Sequence, residues 1–315
     1  MAAAIRIGTC SWADESLTKY FYPPAVKGAE ERLRYYAERF DTVEVNSTYY
    51  RLPDREMVQR WADRTPDGFV MHVKAFGVMT RHPVKVEQLP TDLREDAPRD
   101  ERGRVDRPPR EFRAEIFRRF HDALEPLRET RKLGAILMQF PPYVVPKPAS
   151  LEYLEWAHEQ LGRDEMLVEF RHRSWLDDEN RAAALSFLER IGAGYVVVDA
   201  PRSDTARNLV PTVVATTSPT AYVRFHGRNL GTWNKRGGSA AERFDYLYSD
   251  EELGEFVEPL RELAGQSEQA YAFFNNNASS EDPDNPLGRV SQAATNAFQL
   301  RRLLDVNRIA ASGGT

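Results

Sequence analysis

Lys74, Arg171 and Arg224 stand at or near the ends of short apolar runs, and so do Glu44, Glu169 and Asp199. Three cations, with Arg228 close behind, suit a phosphate, carboxylate or sulfate group. Three carboxylates suit general acid–base work, or, with His226, the holding of a hard divalent cation. Asn46, Gln139 and Asn275 end three further runs and could orient hydroxyls. Trp12, Phe140, Trp175 and Trp233 lie in the segments that follow such runs, where they could stack on a sugar or a base. The expected catalytic groups are Glu44, Glu169, Asp199 and His226. The expected substrate-binding groups are Asn46, Lys74, Gln139, Arg171, Trp175, Arg224, Arg228 and Asn275. No dedicated metal ligands and no resident cofactor are expected, although a single Mg²⁺ or Mn²⁺ would suit the carboxylates.

The elements that must position these groups are eight apolar runs at fairly even intervals: 5–9, 42–46, 70–74, 135–139, 167–171, 195–199, 222–226 and 271–275. Each reads as a buried strand with a polar C-terminal end, and helical patterns lie between most successive pairs. Eight strand–helix units predict an α/β chain folded as a (β/α)8 TIM barrel, whose sites form at the strand C-termini. Side chains alternate between the faces of a strand. With the valines on the helix side, Glu44, Asn46, His72, Lys74, Gln139, Glu169, Arg171, Asp199, Arg224, His226 and Asn275 are all expected inside. His72 lies one layer deeper and is expected to be structural, and Cys10 to be a small packed thiol. Burying so many charges is costly unless they serve something.

A single domain is expected over 1–308, with a flexible tail at 309–315. Helices are expected at about 30–40, 54–61, 110–125, 151–161, up to 191, 250–263 and 291–304. Asp54 and Ser150 are the expected N-caps of the second and fourth, Pro126 ends or kinks the third, and Gly192 closes the one that reaches 191. The aromatic segment Trp12 to Pro24 reads as a loop. Between Gly77 and Pro109 no core pattern is visible, and 94–110 is dense in alternating charges and prolines. That stretch predicts a solvated, poorly packed insertion after the third strand.

With 315 residues, 41% hydrophobic and 29% charged, the chain reads as one large soluble domain. A net charge of −5 gives no general reason to expect nucleic-acid or membrane binding. The single cysteine excludes an internal disulfide and a cysteine-cluster metal site. No signal-like or bilayer-spanning run is visible, so the cytoplasm is the expected compartment. Gly-rich phosphate loops, His-Glu-x-x-His and nucleophile elbows are absent.

Longer motifs surround these residues. They include Val43-Glu44-Val45-Asn46-Ser47-Thr48-Tyr49-Tyr50-Arg51-Leu52-Pro53, Thr65-Pro66-Asp67-Gly68-Phe69, Thr80 with His82, and Gln139-Phe140-Pro141-Pro142. Val168-Glu169-Phe170-Arg171-His172 with Ser174-Trp175, and Tyr222-Val223-Arg224-Phe225-His226-Gly227-Arg228, complete the core of the set. In these the chain resembles the YecE-like family, domain of unknown function 72, over nearly its whole length. The resemblance implies a TIM barrel without a securely assigned reaction. Cys10-Ser11, Asn277 and the Arg81 between Thr80 and His82 depart from the family pattern, and Asn277 stands where a histidine is frequent.

Three functions stay open. The first is an enzyme acting on an anionic, phosphorylated sugar or nucleotide, as an isomerase or hydrolase. The second is a metal-assisted phosphodiesterase or endonuclease with Glu44, Glu169, Asp199 and His226 as ligands. The third is a non-catalytic protein that binds nucleic acid or an acidic metabolite. A basic track extending beyond the strand ends would favour nucleic acid over a small anion.

Overall fold

The computed structural model describes residues 2–203, 205–235 and 240–312. Eight strands form the main sheet: β1 (Ile5–Thr9), β2 (Thr42–Val45), β3 (Val70–Lys74), β4 (Leu133–Gln139), β5 (Met166–Glu169), β6 (Gly194–Asp199), β7 (Thr220–Phe225) and β8 (Gln269–Phe274). Their order is β1-β8-β7-β6-β5-β4-β3-β2, and the described pairings are parallel. With helices following the strands, this is the expected (β/α)8 barrel. The strands are near-continuous apolar runs because both faces are covered. Val43, Val45, Met71, Val73, Ile136, Val196 and Val197 are all buried. The chain forms two compact units, Met1–Val43 with Val196–Asp204 and Pro211–Thr315, and Glu44–Tyr195 with Thr205–Val210. No helix among the described residues is long and apolar enough to cross a membrane.

Local chemistry explains most helix ends. Asp54 caps Arg55–Asp63 by accepting from the Met57 N–H at 2.8 Å, as expected. Gly192 closes Arg181–Ile191 in the left-handed region, with φ 74. Pro126 breaks the next case as expected: one helix spans Arg110–Ala123 and a second Glu125–Glu129. The buried Lys132 donates to the carbonyls of Ala62 at 2.6 Å and Thr65 at 2.5 Å, so its ammonium meets the negative end of the Arg55–Asp63 helix.

Other expectations are corrected. The aromatic loop contains a helix, Glu15–Tyr20, because Asp14 accepts from the Ser16 and Leu17 N–H groups. Ser150 is not a cap. The helix begins at Pro148, a residue suited to a first turn, and Ser150 is buried inside it. The helix expected over 250–263 is two, Asp250–Gly254 and Val257–Gln266. The last helix, Gln292–Ser312, outruns its expected end at 304 and takes in most of the expected tail. Residues 313–315 lie outside the described residues.

The largest correction concerns residues 77–109, which are packed. Gly77–Thr80 is a buried 3-10 turn, and Val84 and Lys85 pair antiparallel with Val105 and Arg104. Val84, Val86, Leu89, Ala97 and Val105 are buried. Several of the charges are satisfied locally, and the apolar side chains between them are free to pack. Arg94 donates to the carbonyls of Leu89 and Glu87, both at 3.0 Å. Arg104 holds Asp100 at 2.8 Å, and Arg119 of the following helix holds Asp92 at 2.6 Å. Val105→Ala should therefore cost about 1.5–3 kcal/mol, the transfer of two methyl groups plus a cavity. Urea melts would measure this, and a loss within ~0.5 kcal/mol, typical of a surface change, would mark the segment as loose.

Candidate functional site

In the unit that contains β3, β4 and β5, pleat and register bring four expected residues together. Lys74 pairs with Leu137 and Gln139 with Glu169, so Lys74, Gln139 and Glu169 share one face. Lys74 Nζ donates to Gln139 Oε1 at 2.7 Å, and Gln139 Nε2 donates to Glu169 Oε1 at 2.7 Å. Arg171, two residues beyond Glu169, makes an ion pair with it. Glu169 is fully buried, and the Arg171 side chain is 13% exposed. The result is a chain of charge-assisted bonds in which two cations flank one carboxylate through an amide. Glu44 is also fully buried, on β2. Asn46 follows β2 and opens the 3-10 turn Ser47–Tyr49. The Thr48 hydroxyl ties that turn to the Lys74 carbonyl at 2.5 Å.

Two residues not assigned a role from sequence join this group. Lys74 Nζ lies 4.7 Å from the centre of the Tyr49 ring, and the His82 ring meets Tyr49 edge-on at 5.1 Å. His82 Nδ1 is 2.8 Å from the Thr80 hydroxyl. Burial, reinforced by the charges of Lys74 and Arg171, pushes His82 down to about 3. It is a neutral imidazole at physiological pH. Its signal was available: Ala75-Phe76-Gly77-Val78-Met79 is an apolar run directly after the strand, which marks a packed turn rather than a loose loop.

His82 predicts a pH dependence. Its folded pKa lies below the ordinary value of 6.5, so the unfolded chain binds the proton first as pH falls. Stability present above 6.5 should be lost between 6.5 and about 3, at no more than ~1.4 kcal/mol per pH unit from this residue. His82→Asn should flatten that slope. Urea melts at about pH 7 and about pH 5 measure it, and equal slopes in both proteins would refute the assignment.

The unit that contains β7 and β8 holds a second group. Arg224 is fully buried on β7; its guanidinium donates to His226 Nε2 at 3.4 Å and approaches Cys10 Sγ at 3.7 Å. The Asn275 amide sits 3.0 Å from His226 Nδ1. The atom of Asn275 that faces the ring is the amide nitrogen Nδ2, so both ring nitrogens of His226 have a nitrogen group beside them. Phe244 lies 5.5 Å and Trp233 6.4 Å from the imidazole.

Asp199 and Arg228, both expected beside Arg224, belong to another face. Register pairs Val198 with Arg224 and Phe273, whereas Asp199 pairs with Phe225, Phe274 and Thr9. The second row faces the helices: Thr9 bonds the Tyr36 hydroxyl, and Phe225 packs on Phe256 at 4.8 Å. There Asp199 is fully buried, held by Arg228 Nε at 3.0 Å and the Tyr248 hydroxyl at 2.5 Å. Burial pushes its carboxyl up. Arg228 also reaches Glu255 at 2.9 Å and Glu252 at 3.5 Å. The run Tyr195-Val196-Val197-Val198 is apolar at every position, so it carries no alternation from which the face of Asp199 could be read.

Three of the four expected stacking rings are also corrected. Trp175 is buried, stacked on Phe170 at 4.2 Å with its indole N–H donating to the Val144 carbonyl at 2.8 Å. Phe140 and Trp233 are buried too, and only Trp12 is half-buried. His72 is structural as expected: its Nδ1 accepts from the Ala135 N–H at 3.0 Å, in space left by Gly134, where a Cβ would lie 2.6 Å from the ring. Among the described residues, no three His, Cys, Asp or Glu side chains gather as a metal site. The four-ligand set of the metal-assisted reading is divided, because Asp199 lies on the helix side.

Comparison with known proteins agrees with the architecture. The chain is 31% identical over 306 residues to UPF0759 protein YunF of Bacillus subtilis (strain 168), covering 96% of this chain and 95% of that one. The crystal structure of a DUF72 family protein from Thermotoga maritima MSB8 aligns with a TM-score of 0.72 and 32% identity, over 96% of this chain and 99% of that chain. One from Enterococcus faecalis V583 aligns with a TM-score of 0.74 at 24% identity, over 96% of each. The family model described as "Protein of unknown function DUF72" matches residues 6–309, and with the fold and the relatives it shows that this chain belongs to the DUF72 family.

Proposed function

We propose that the protein is an enzyme acting on a phosphorylated sugar or nucleotide. The observation that carries this reading is the Lys74–Gln139–Glu169–Arg171 chain at the C-terminal ends of β3, β4 and β5. Barrel interiors are ordinarily filled by branched apolar side chains, and catalytic groups come from strand C-termini. Two cations and a carboxylate kept there at a desolvation cost fit an anion-holding and proton-exchanging role. Lys74 and Arg171 would hold the anion, Glu169 would take or give the proton, and Gln139 would fix the carboxylate and a substrate hydroxyl. His82, uncharged, would offer a hydrogen bond without adding charge. The reading calls for no resident cofactor, and the compartment proposed is the cytoplasm, where Cys10 stays a thiol.

The experiment is a comparison of melting temperatures in phosphate, a sugar phosphate, sulfate and chloride at equal ionic strength. A ligand that binds only the folded state stabilises it by mass action. Phosphate and the sugar phosphate should raise the melting temperature more than chloride does. Equal responses would mean that the buried charges neutralise one another as a structural network.

A further inference from the structure

Several arginines near the β3–β4 connection are paired with carboxylates. Arg104 holds Asp100, Arg118 holds Glu115 and Asp122, and Arg119 holds Asp92 and Glu115. Four others in the same unit gather on aromatic rings instead. The Arg81 guanidinium carbon lies 5.0 Å from the Tyr153 ring centre, and that of Arg113 lies 4.8 Å from Tyr153 and 5.4 Å from Trp156. Arg110 is 5.1 Å from Trp156, and Arg107 is 5.9 Å from Tyr143. The Tyr143 hydroxyl donates to the Arg81 carbonyl at 2.5 Å, which joins the two ends of the patch.

This gathering is unfavourable by itself. Among the described residues Arg81, Arg110 and Arg113 make no ion pair, and Arg107 has Asp106 at 3.9 Å. Burial weakens the hold of Arg81 on its proton, and the charges of Arg113 and Arg107 add to that effect against the opposing pull of Tyr153 and Tyr143. The backbone is strained as well. Of the three described non-glycine residues with positive φ, two are Arg81, at 66, and Arg107, at 48. Such conformations persist where the surroundings force them, and they concentrate at sites that use them.

We propose that this surface binds single-stranded nucleic acid, with Arg81, Arg107, Arg110 and Arg113 on the phosphates and Tyr143 under a base. Guanidinium forks match phosphate oxygens, and Tyr143, 48% exposed, offers a ring face on which any base can stack. An acidic peptide would satisfy the guanidiniums but carries a ring only at some residues, whereas every nucleotide brings a flat base to the tyrosine. Arg81 is followed by His82, whose ring touches Tyr49 beside Lys74. A strand lying on the patch therefore leads toward the Lys74–Arg171 group. The inference thus rests on the anion-binding reading above for where that strand ends, and it names the substrate class as an oligonucleotide.

The test is fluorescence anisotropy of a short fluorescein-labelled oligothymidylate, titrated with the full chain over a range of salt. Wild-type affinity should fall with salt by ~0.7 log units per log unit for each phosphate contacted. The triple variant Arg81→Ala, Arg107→Ala, Arg110→Ala should have a slope shallower by about 2 and an affinity at ~0.1 M salt lower by on the order of a hundredfold. The corresponding triple lysine variant, which keeps the charge, should retain most of the slope. Tyr143→Ala should weaken binding roughly tenfold, and Tyr143→Phe should not. Absence of wild-type binding at low salt, or equal binding by the alanine triple variant, overturns the proposal. Phosphate stabilisation measured on the same proteins keeps the two readings apart. Patch variants should retain it, and a protein that binds the oligonucleotide through the patch without responding to phosphate would uphold the patch and refute the anion role of Lys74 and Arg171.

Discussion

Arg171→Ala should erase most of the stabilisation that phosphate or a sugar phosphate gives the wild type. Near a hundredfold excess over Kd that stabilisation amounts to about 2.7 kcal/mol, or roughly 5 °C in a chain of this size. The argument lies in how the guanidinium is spent. Arg171 is committed to Glu169, which is also held by Gln139 and, through it, linked to Lys74. An arriving phosphate competes with the Glu169 carboxylate for Arg171 and with the Gln139 amide oxygen for Lys74. Removing Arg171 removes a bidentate donor. Removing the competing charge, by Glu169→Gln, should do the reverse and tighten phosphate binding while abolishing any proton transfer. Baseline stability will fall in Arg171→Ala, since a buried carboxylate loses its partner, so the readout is the increment that phosphate adds to each protein's own melting temperature. Scanning fluorimetry at constant ionic strength measures both. An Arg171→Ala increment equal to that of wild type, or a Glu169→Gln increment below it, would be incompatible with an anion held at this group.

Asp199→Ala should have the opposite profile, with a stability loss of about 3–5 kcal/mol and an unchanged phosphate increment. Asp199 is fully buried among Arg228, Tyr248 and the Phe225 ring row. Its removal leaves Arg228, whose side chain is 13% exposed, facing Glu255 and Glu252 alone. The Tyr248 hydroxyl, buried against the same carboxylate, loses its acceptor at a further cost contained in that figure. Tyr248→Phe should cost less, about 1–3 kcal/mol, because it removes the donor to Asp199 and the acceptor of the Gly227 N–H at 2.8 Å but leaves the ion pair. Chemical denaturation of the three proteins gives the values. A loss below ~1 kcal/mol in Asp199→Ala would mean that the pair carries no structural load. Loss of the phosphate increment would refute a purely structural role for Asp199.

Local patterning was sufficient for the barrel. Eight apolar runs at even spacing require eight buried strands, and helical periodicity between them leaves the parallel arrangement as the way to cover both faces. Asp54, Pro126 and Gly192 act through their own backbone neighbours, so their effects could be read from position alone. The same holds for Lys74, Gln139 and Glu169. Their strands alternate or end in register, and period-two geometry puts them on one face.

What local pattern could not carry was decided by partners distant in sequence. The β6 run is apolar throughout, so only pairing with β7, and the waiting Arg228 and Tyr248, fixed Asp199 on the helix side. Residues 77–109 look solvated because charge and proline dominate them. The Asp92–Arg119 and Asp100–Arg104 pairs neutralise part of that charge, and Val84 meets Val105 across 21 positions of chain. His82 and Tyr49 became neighbours of Lys74 because of that packing. Thus composition and periodicity determined which elements form and which residues end them. Tertiary structure alone decided which face a polar residue takes where alternation is missing, and which charges meet a partner. A strand's hydrophobic pattern records burial, whereas charge pairing depends on groups brought close only when the chain folds.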